Sequence, residues 1–150
     1  MFNVIADKDC PYVLTHSRGN SKTMDSLAKY KNVVIDVKNE LSNQIDLALS
    51  VGIKNEQIII DPGIGFAKNV GQNLTLLKNI DEFISMNYPV LIGASRKRFI
   101  GSVINETDPN KRIFGMAAVA SRCVSAGVDI LRVHDIEQIS QVIIMTKSII

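Results

Sequence analysis

Short apolar runs rich in β-branched residues recur along the chain, each closed by glycine, proline or a polar pair, and longer stretches with helical spacing fill the intervals. The runs at 12–14, 57–60, 89–92 and 128–131 read as buried parallel strands, because a strand covered on both faces is apolar at nearly every position. Val34, Val37, Leu41, Ile45 and Ala48 mark one face of a helix of about five turns that stops at Gly52. Leu74, Leu77, Ile80, Phe83 and Ile84 predict a second helix, Ile113, Met116, Ala117, Ala120 and Val124 a third, and Ile136, Ile139, Val142 and Ile143 a fourth. Strand then helix, repeated four times, is an α/β chain with a parallel sheet and right-handed crossovers. The pattern fits an open doubly wound sheet and a β/α barrel alike. The longest irregular stretches are 17–30, 61–72, 94–99 and 104–111; the first three, like the abrupt turn at 132–135, follow the carboxyl end of a strand, which is the functional edge of both architectures.

Composition narrows the classes without naming one. At 150 residues, 46% hydrophobic and 21% charged, the chain has the makeup of one globular domain or part of one. Its 17 Lys and Arg stand against 15 Asp and Glu, a net charge of +2, too balanced for a surface that binds nucleic acid or other polyanions in general. No apolar run is long enough to span a bilayer, and the first eight residues lack the pattern of a signal peptide, so no membrane role is expected. Cys10 and Cys123 form no CxxC pair and have no histidine at ligand spacing; they read as reduced, half-buried thiols, and no protein metal site is expected.

The chemistry collects at the strand ends. Asp61 stands at the mouth of the second strand with Pro62, Gly63 and Gly65 shaping the turn behind it, and its two oxygens suit a ligand edge with adjacent N–H donors, such as an aminopyrimidinone. The same residue also reads as an aspartate that satisfies backbone amides in a tight turn. Gly93, Ala94 and Ser95 lead into Arg96, Lys97 and Arg98, three successive cations that diverge, so that at most one or two face inward. Arg132 and His134 lie two residues apart on one face of the fourth strand end and make an anion site fit for a phosphate or diphosphate, with Asp135 placed to cap the last helix. His16 ends the first strand and either orients a loop or touches a ligand, and Lys22, Lys29 and Lys31 read as a solvated loop.

Taken together, Asp61-Pro62-Gly63-Ile64-Gly65-Phe66-Ala67-Lys68, Ser95-Arg96-Lys97 and Arg132-Val133-His134-Asp135 resemble, in order and spacing, the carboxyl-terminal half of the dihydropteroate synthase family. The resemblance runs from about Tyr12 to the C-terminus. It implies about four βα units, the C-terminal half of a (β/α)8 TIM-type barrel, with 1–150 a partial pterin-binding domain whose N-terminal half is absent. The family condenses p-aminobenzoate with 7,8-dihydropterin hydroxymethyl diphosphate and releases diphosphate. By resemblance, Asp61 and Lys97 hold the pterin, and Arg132 and His134 hold the leaving diphosphate, so that Lys97, Arg132 and His134 carry the catalysis. Phe66, Ser95 and Arg96 then lie toward the aminobenzoate side, where sulfonamides compete, Gly93 lines the substrate site, and Mg2+ arrives through the substrate diphosphate.

Two departures qualify that picture. The family's Met-His-Met-Arg-Gly segment stands here as Thr15-His16-Ser17-Arg18-Gly19, small hydroxyls in place of thioethers at the pterin floor. The family's first four strands, with their Asn-Val-Thr-Pro-Asp and Ser-Thr-Arg-Pro-Gly loops and a pterin-binding Asp and Asn, have no counterpart in this chain. The isolated half is therefore expected to be inactive, and to need an N-terminal half or a second copy of itself to cover its open strand edges. Met1 lies in what resembles the helix before the family's fifth strand, which favours a truncated longer reading frame. The family is often homodimeric and cytoplasmic; the C-terminal segments also resemble the eukaryotic form, which ends a multifunctional folate enzyme and is compatible with a mitochondrial location. The competing readings are a non-catalytic half-barrel module and a folate-dependent corrinoid methyltransferase, which handles no diphosphate and has less use for Arg132 and His134.

Overall fold

A computed structural model describes residues 2–150. After a first helix α1 (Phe2–Lys8), the chain alternates β1 (Tyr12–Thr15), α2 (Val33–Ser50), β2 (Ile58–Asp61), α3 (Val70–Lys78), α4 (Asp81–Ile84), β3 (Leu91–Ile92), α5 (Arg98–Ile104), α6 (Ile113–Ala126), β4 (Ile130–Leu131) and α7 (Ile136–Ile149). β1 pairs in parallel with β2, from Tyr12 opposite Ile58 to Thr15 opposite Asp61. β3 pairs in parallel with β4, Leu91 opposite Ile130 and Ile92 opposite Leu131. A parallel bridge between Ile60 and Val90 joins the two pairs, with the Ile60 amide donating to the Pro89 carbonyl at 2.9 Å. The strands thus follow one arc in sequence order, the arrangement of consecutive barrel strands rather than of a doubly wound sheet.

Alternation along the strands assigns the two faces. Leu14, Ile58, Ile60 and Ile92 are buried under the helices, against Val37, Leu41, Ile80, Phe83, Met116 and Ile139. The opposite face carries Val13 and Ile130, which remain 37% and 36% exposed, as the inner wall of an arc does when no further strands close over it.

Helix α2 forms where the spacing predicts and buries the predicted stripe. Asn32 starts it, its side-chain oxygen accepting from the Val34 and Ile35 amides at 3.0 and 3.2 Å. Removing that cap with Asn32→Ala is expected to lower stability by about 1 kcal/mol, read as a shift of the urea midpoint.

Several expectations need correction. The second predicted helix is two, α3 and α4, interrupted around Asn79, and Leu74 is 43% exposed while Leu76 and Leu77 take the core positions. Ile136 faces solvent rather than the core, and β3 and β4 are shorter than the apolar runs that mark them. Cys123 is fully buried, and burial pushes its thiol up to about 12, which makes it inert packing material. Among the described residues no helix is long and apolar enough to cross a membrane.

Candidate active site

β2 delivers Asp61 to the inner mouth of the arc, where the carboxylate is only 2% exposed. One oxygen accepts the Gly63 amide at 2.7 Å and the other the Thr15 hydroxyl at 3.3 Å. Burial raises this carboxyl above its ordinary range, opposed by the Gly63 amide and by the nearby charges of Lys97 and Arg132. Both of the expected uses of Asp61 are therefore open at once: it satisfies its own turn, and each oxygen keeps a further lone pair for a ligand. Thr15, one of the departures from the family segment, supplies a donor that a thioether cannot.

The turn after Asp61 is built from residues with left-handed backbone. Gly63 has φ +69°, and a Cβ there would sit 1.9 Å from the His16 carbonyl oxygen. Gly65 has φ +85°, and its missing side chain leaves the space that the Lys97 side chain crosses. Asn73 on α3 locks the turn from outside, accepting the Gly65 amide at 2.6 Å and donating to the Lys68 and Asn69 carbonyls.

From the end of β3 the three successive cations diverge as the spacing requires. Lys97 turns inward, donates to the Ile64 carbonyl, and lies 4.4 Å above the centre of the Phe66 ring. Burial pulls its ammonium down to about 8. Arg96 adopts φ +60° and pairs with Asp135 at 2.8 Å, while Arg98 reaches Asp25 at 3.1 Å. Arg112, itself buried, holds the Arg96 carbonyl at 2.8 Å and so fixes this kink. Asp135 does not cap α7 with its side chain: the Arg96 guanidinium takes the carboxylate instead.

β4 contributes the fourth wall. The Arg132 guanidinium lies against Gly93, where a Cβ would come within 2.8 Å of it. Two residues on, His134 is oriented by the buried Ser95, whose hydroxyl oxygen accepts the His134 amide at 3.2 Å and meets Nδ1 at 3.0 Å. Ser95, expected on the aminobenzoate side, thus places its hydroxyl against His134. Among the described residues no carboxylate forms an ion pair with Lys97 or Arg132, so these two cations share one electropositive mouth beside Asp61.

His16 resolves as a positioning group. It is buried, with Nε2 3.0 Å from Glu40 and Nδ1 3.0 Å from the Lys68 ammonium. Burial and the Lys68 charge pull its pKa down to about 4, so the ring is neutral in the folded chain. A histidine whose folded value lies below its unfolded one contributes stability that is fully present above the unfolded value near 6.5 and is lost as pH falls through about 4. Urea midpoints are therefore expected to fall across that window, by up to about 3 kcal/mol in stability, and His16→Gln to flatten the dependence. Nothing in the sequence pattern marks Glu40, Tyr30, Asn73 or Arg112 for this region. Their partners lie far along the chain or are backbone groups, and no strand end announces them.

Beside Lys97 opens a cleft of about 510 Å³, walled by Gly65, Asn73 and Phe99 on one side and by Met24 and Asp25 of the 17–30 loop on the other. The Asp25 to Arg98 ion pair spans it.

Comparison with known proteins decides the family. Residues 1–134 match the profile described as "Pterin binding enzyme". The chain belongs to the pterin binding enzyme family. A dihydropteroate synthase of Synechocystis is 43% identical over 139 residues, covering 93% of this chain and 48% of that protein. The dihydropteroate synthase of Thermus thermophilus, solved in complex with 4-aminobenzoate, superposes with a TM-score of 0.95 at 35% identity, over 100% of this chain and 58% of that one. The same enzyme in complex with 6HMPPP gives 0.93 at 35% identity, over 98% and 58%. The fold of the chain is thus part of a TIM-type barrel, and the chain spans about half the length of the curated relatives it matches.

Proposed function

We propose that residues 1–150 form the carboxyl-terminal half of a dihydropteroate synthase barrel and contribute half of its active site. The observation that carries this reading is the buried Asp61 set beside Lys97 and Arg132 at the strand mouths, with His134 held ready on Ser95. A carboxylate with two free lone pairs matches the adjacent N–H donors of a dihydropterin, and Lys97 matches its ring acceptors. Arg132 and His134 then face the diphosphate of the hydroxymethyl group. When the carbon–oxygen bond breaks, its electron pair leaves with the diphosphate, and these two side chains meet the charge that develops there. The amine of p-aminobenzoate forms the new carbon–nitrogen bond and gives up one proton. We place that amine's approach over Phe66 and Lys97 from the cleft, with Arg96 at its border and Ser95 acting through His134.

Magnesium fits this chain as a companion of the substrate. The Arg132 guanidinium, which forms no ion pair among the described residues, suits a diphosphate that brings its own cation. Bound there, the ion would neutralise part of the diphosphate charge.

The exposed inner wall at Val13 and Ile130 favours a partner, a complementary amino-terminal half in one polypeptide or as a separate chain; the family resemblance alone supports a dimer and a cytoplasmic location. Formation of dihydropteroate from the two substrates, measured for the chain alone and mixed with an amino-terminal half, is expected only in the mixture. Turnover in neither would favour the non-catalytic half-barrel, to which the same exposed wall also points. Within an active assembly, Arg132→Ala is expected to weaken diphosphate binding about tenfold or more while changing the affinity for the pterin alone far less, by calorimetric titration of each.

A further inference from the structure

Lys68 is 7% exposed and touches three acceptors: the Gly63 carbonyl at 3.0 Å, the Phe66 carbonyl at 2.9 Å and His16 Nδ1 at 3.0 Å. An ammonium has three N–H donors and no acceptor, so all three are spent inside the protein and none is offered to a ligand. It follows that Nδ1 of His16 accepts, the ring proton sits on Nε2, and Nε2 donates to Glu40 at 3.0 Å. Glu40 is bound in turn by the Arg18 guanidinium, which lies 3.9 Å above the Tyr30 ring, and the Tyr30 hydroxyl donates to the Ala67 carbonyl at 3.1 Å. The circuit closes on the residue beside Lys68.

We infer that Lys68 is a positioning residue: it staples the 63–66 turn to the end of β1, and through that turn fixes the Ile64 carbonyl and the Phe66 ring on which Lys97 is held. Both contacts of Lys97 belong to this one turn, and Lys68 pins the turn at its two ends. Gly63 and Gly65 supply no side-chain packing of their own, so the Lys68 contacts join the buried Ile64 side chain and the Asn73 contact in setting the turn. The consequence for pterin binding rests on the proposed function; the coupling of Lys68 to Lys97 does not.

The charged and titratable groups facing Lys68 are His16 and Arg18 from the end of β1 and its following loop, Glu40 from α2, Asp61 from β2 and Lys97 beyond β3. Burial outweighs the attraction of Asp61 and pulls Lys68 down to about 7. Above that value a neutral amine keeps two N–H donors for three acceptors, and one of the three contacts is lost.

The test compares the full chain with Lys68→Met, following the titration of Lys97 by NMR of isotope-labelled lysine and the protection of the Phe66 amide by hydrogen exchange. In the variant, Lys97 is expected to titrate closer to an ordinary lysine, and protection at Phe66 to fall about tenfold or more, the factor that one lost charge-assisted hydrogen bond entails, with α6 amides unchanged. A folded variant with the same Lys97 titration and the same Phe66 protection would overturn the inference. Should Lys68→Met fail to fold, wild-type protection at Phe66 relative to α6 decides: a drop between about pH 6 and about pH 9 supports the staple, and a flat ratio overturns it. No readout involves a substrate, so a failure of the dihydropteroate synthase reading would leave each of them standing.

Discussion

Alanine at position 97 is expected to weaken dihydropterin binding about a hundredfold or more and the fold far less, because truncating one partner of a buried charged hydrogen bond costs about 2 to 5 kcal/mol of binding. Lys97 already bears a cost of burial, seen in its ammonium being pulled down to about 8. In the free chain its return is one backbone carbonyl, the face of Phe66 and the nearby charge of Asp61. Removing this half-buried cation relieves its own burial cost but leaves buried Asp61 less compensated, so the fold is expected to change far less than the binding. The loss therefore falls on the ligand, which forfeits a donor, and on Asp61, whose raised carboxyl loses a neighbouring positive charge and moves further from the ionised state that accepts two hydrogen bonds. Asp61→Ala should cost binding on the same scale from the other side of the ring. Calorimetric titration with dihydropterin diphosphate, alongside urea unfolding of the same samples, separates the two effects. Small and equal losses for Asp61→Ala, Lys97→Ala and Arg132→Ala would remove the grounds for assigning them different roles.

The groups that matter most in that experiment are those the sequence announces best. Asp61, Lys97, Arg132 and His134 each stand at or just beyond the carboxyl end of an apolar run, where a β/α chain must turn and where side chains are offered to a ligand. Helix α2 is equally plain, since its buried stripe and its capping Asn32 agree. The break between α3 and α4 is hidden because Leu76, Leu77, Ile80 and Phe83 keep helical spacing straight across it, and periodicity does not register an interruption that preserves phase. Likewise Asp135 is a sound cap by local rules, and only the left-handed turn at Arg96, set by Arg112, reveals a competing partner. Glu40 joins the site from the middle of a helix, with His16 and Arg18 as partners more than twenty positions away, a relation that only the folded arc creates. What local rules capture is thus the strand mouths; what they miss is the support that neighbouring βα units lend to one another.

The clearest case of such support is Gly63, and Gly63→Ala is expected to be among the most damaging single-atom additions in the chain. Its φ of +69° costs any other residue about 1 to 2 kcal/mol, and the added methyl would stand 1.9 Å from the His16 carbonyl oxygen. Neither side yields cheaply. The His16 amide is tied to the Asp61 carbonyl at 2.9 Å, and the Gly63 amide to the Asp61 carboxylate at 2.7 Å, so relief of the clash moves Asp61 itself. The Gly63 carbonyl also holds Lys68, so the same displacement loosens the turn beneath Lys97. A stability loss of about 4 kcal/mol or more is expected from urea unfolding, together with loss of pterin binding at temperatures where the variant remains folded. By contrast, Gly52→Ala also sits at positive φ but meets nothing within 4 Å, and should show the backbone penalty alone. If the two alanines destabilise equally, close docking of the β1 and β2 loops is not what holds Asp61 in place.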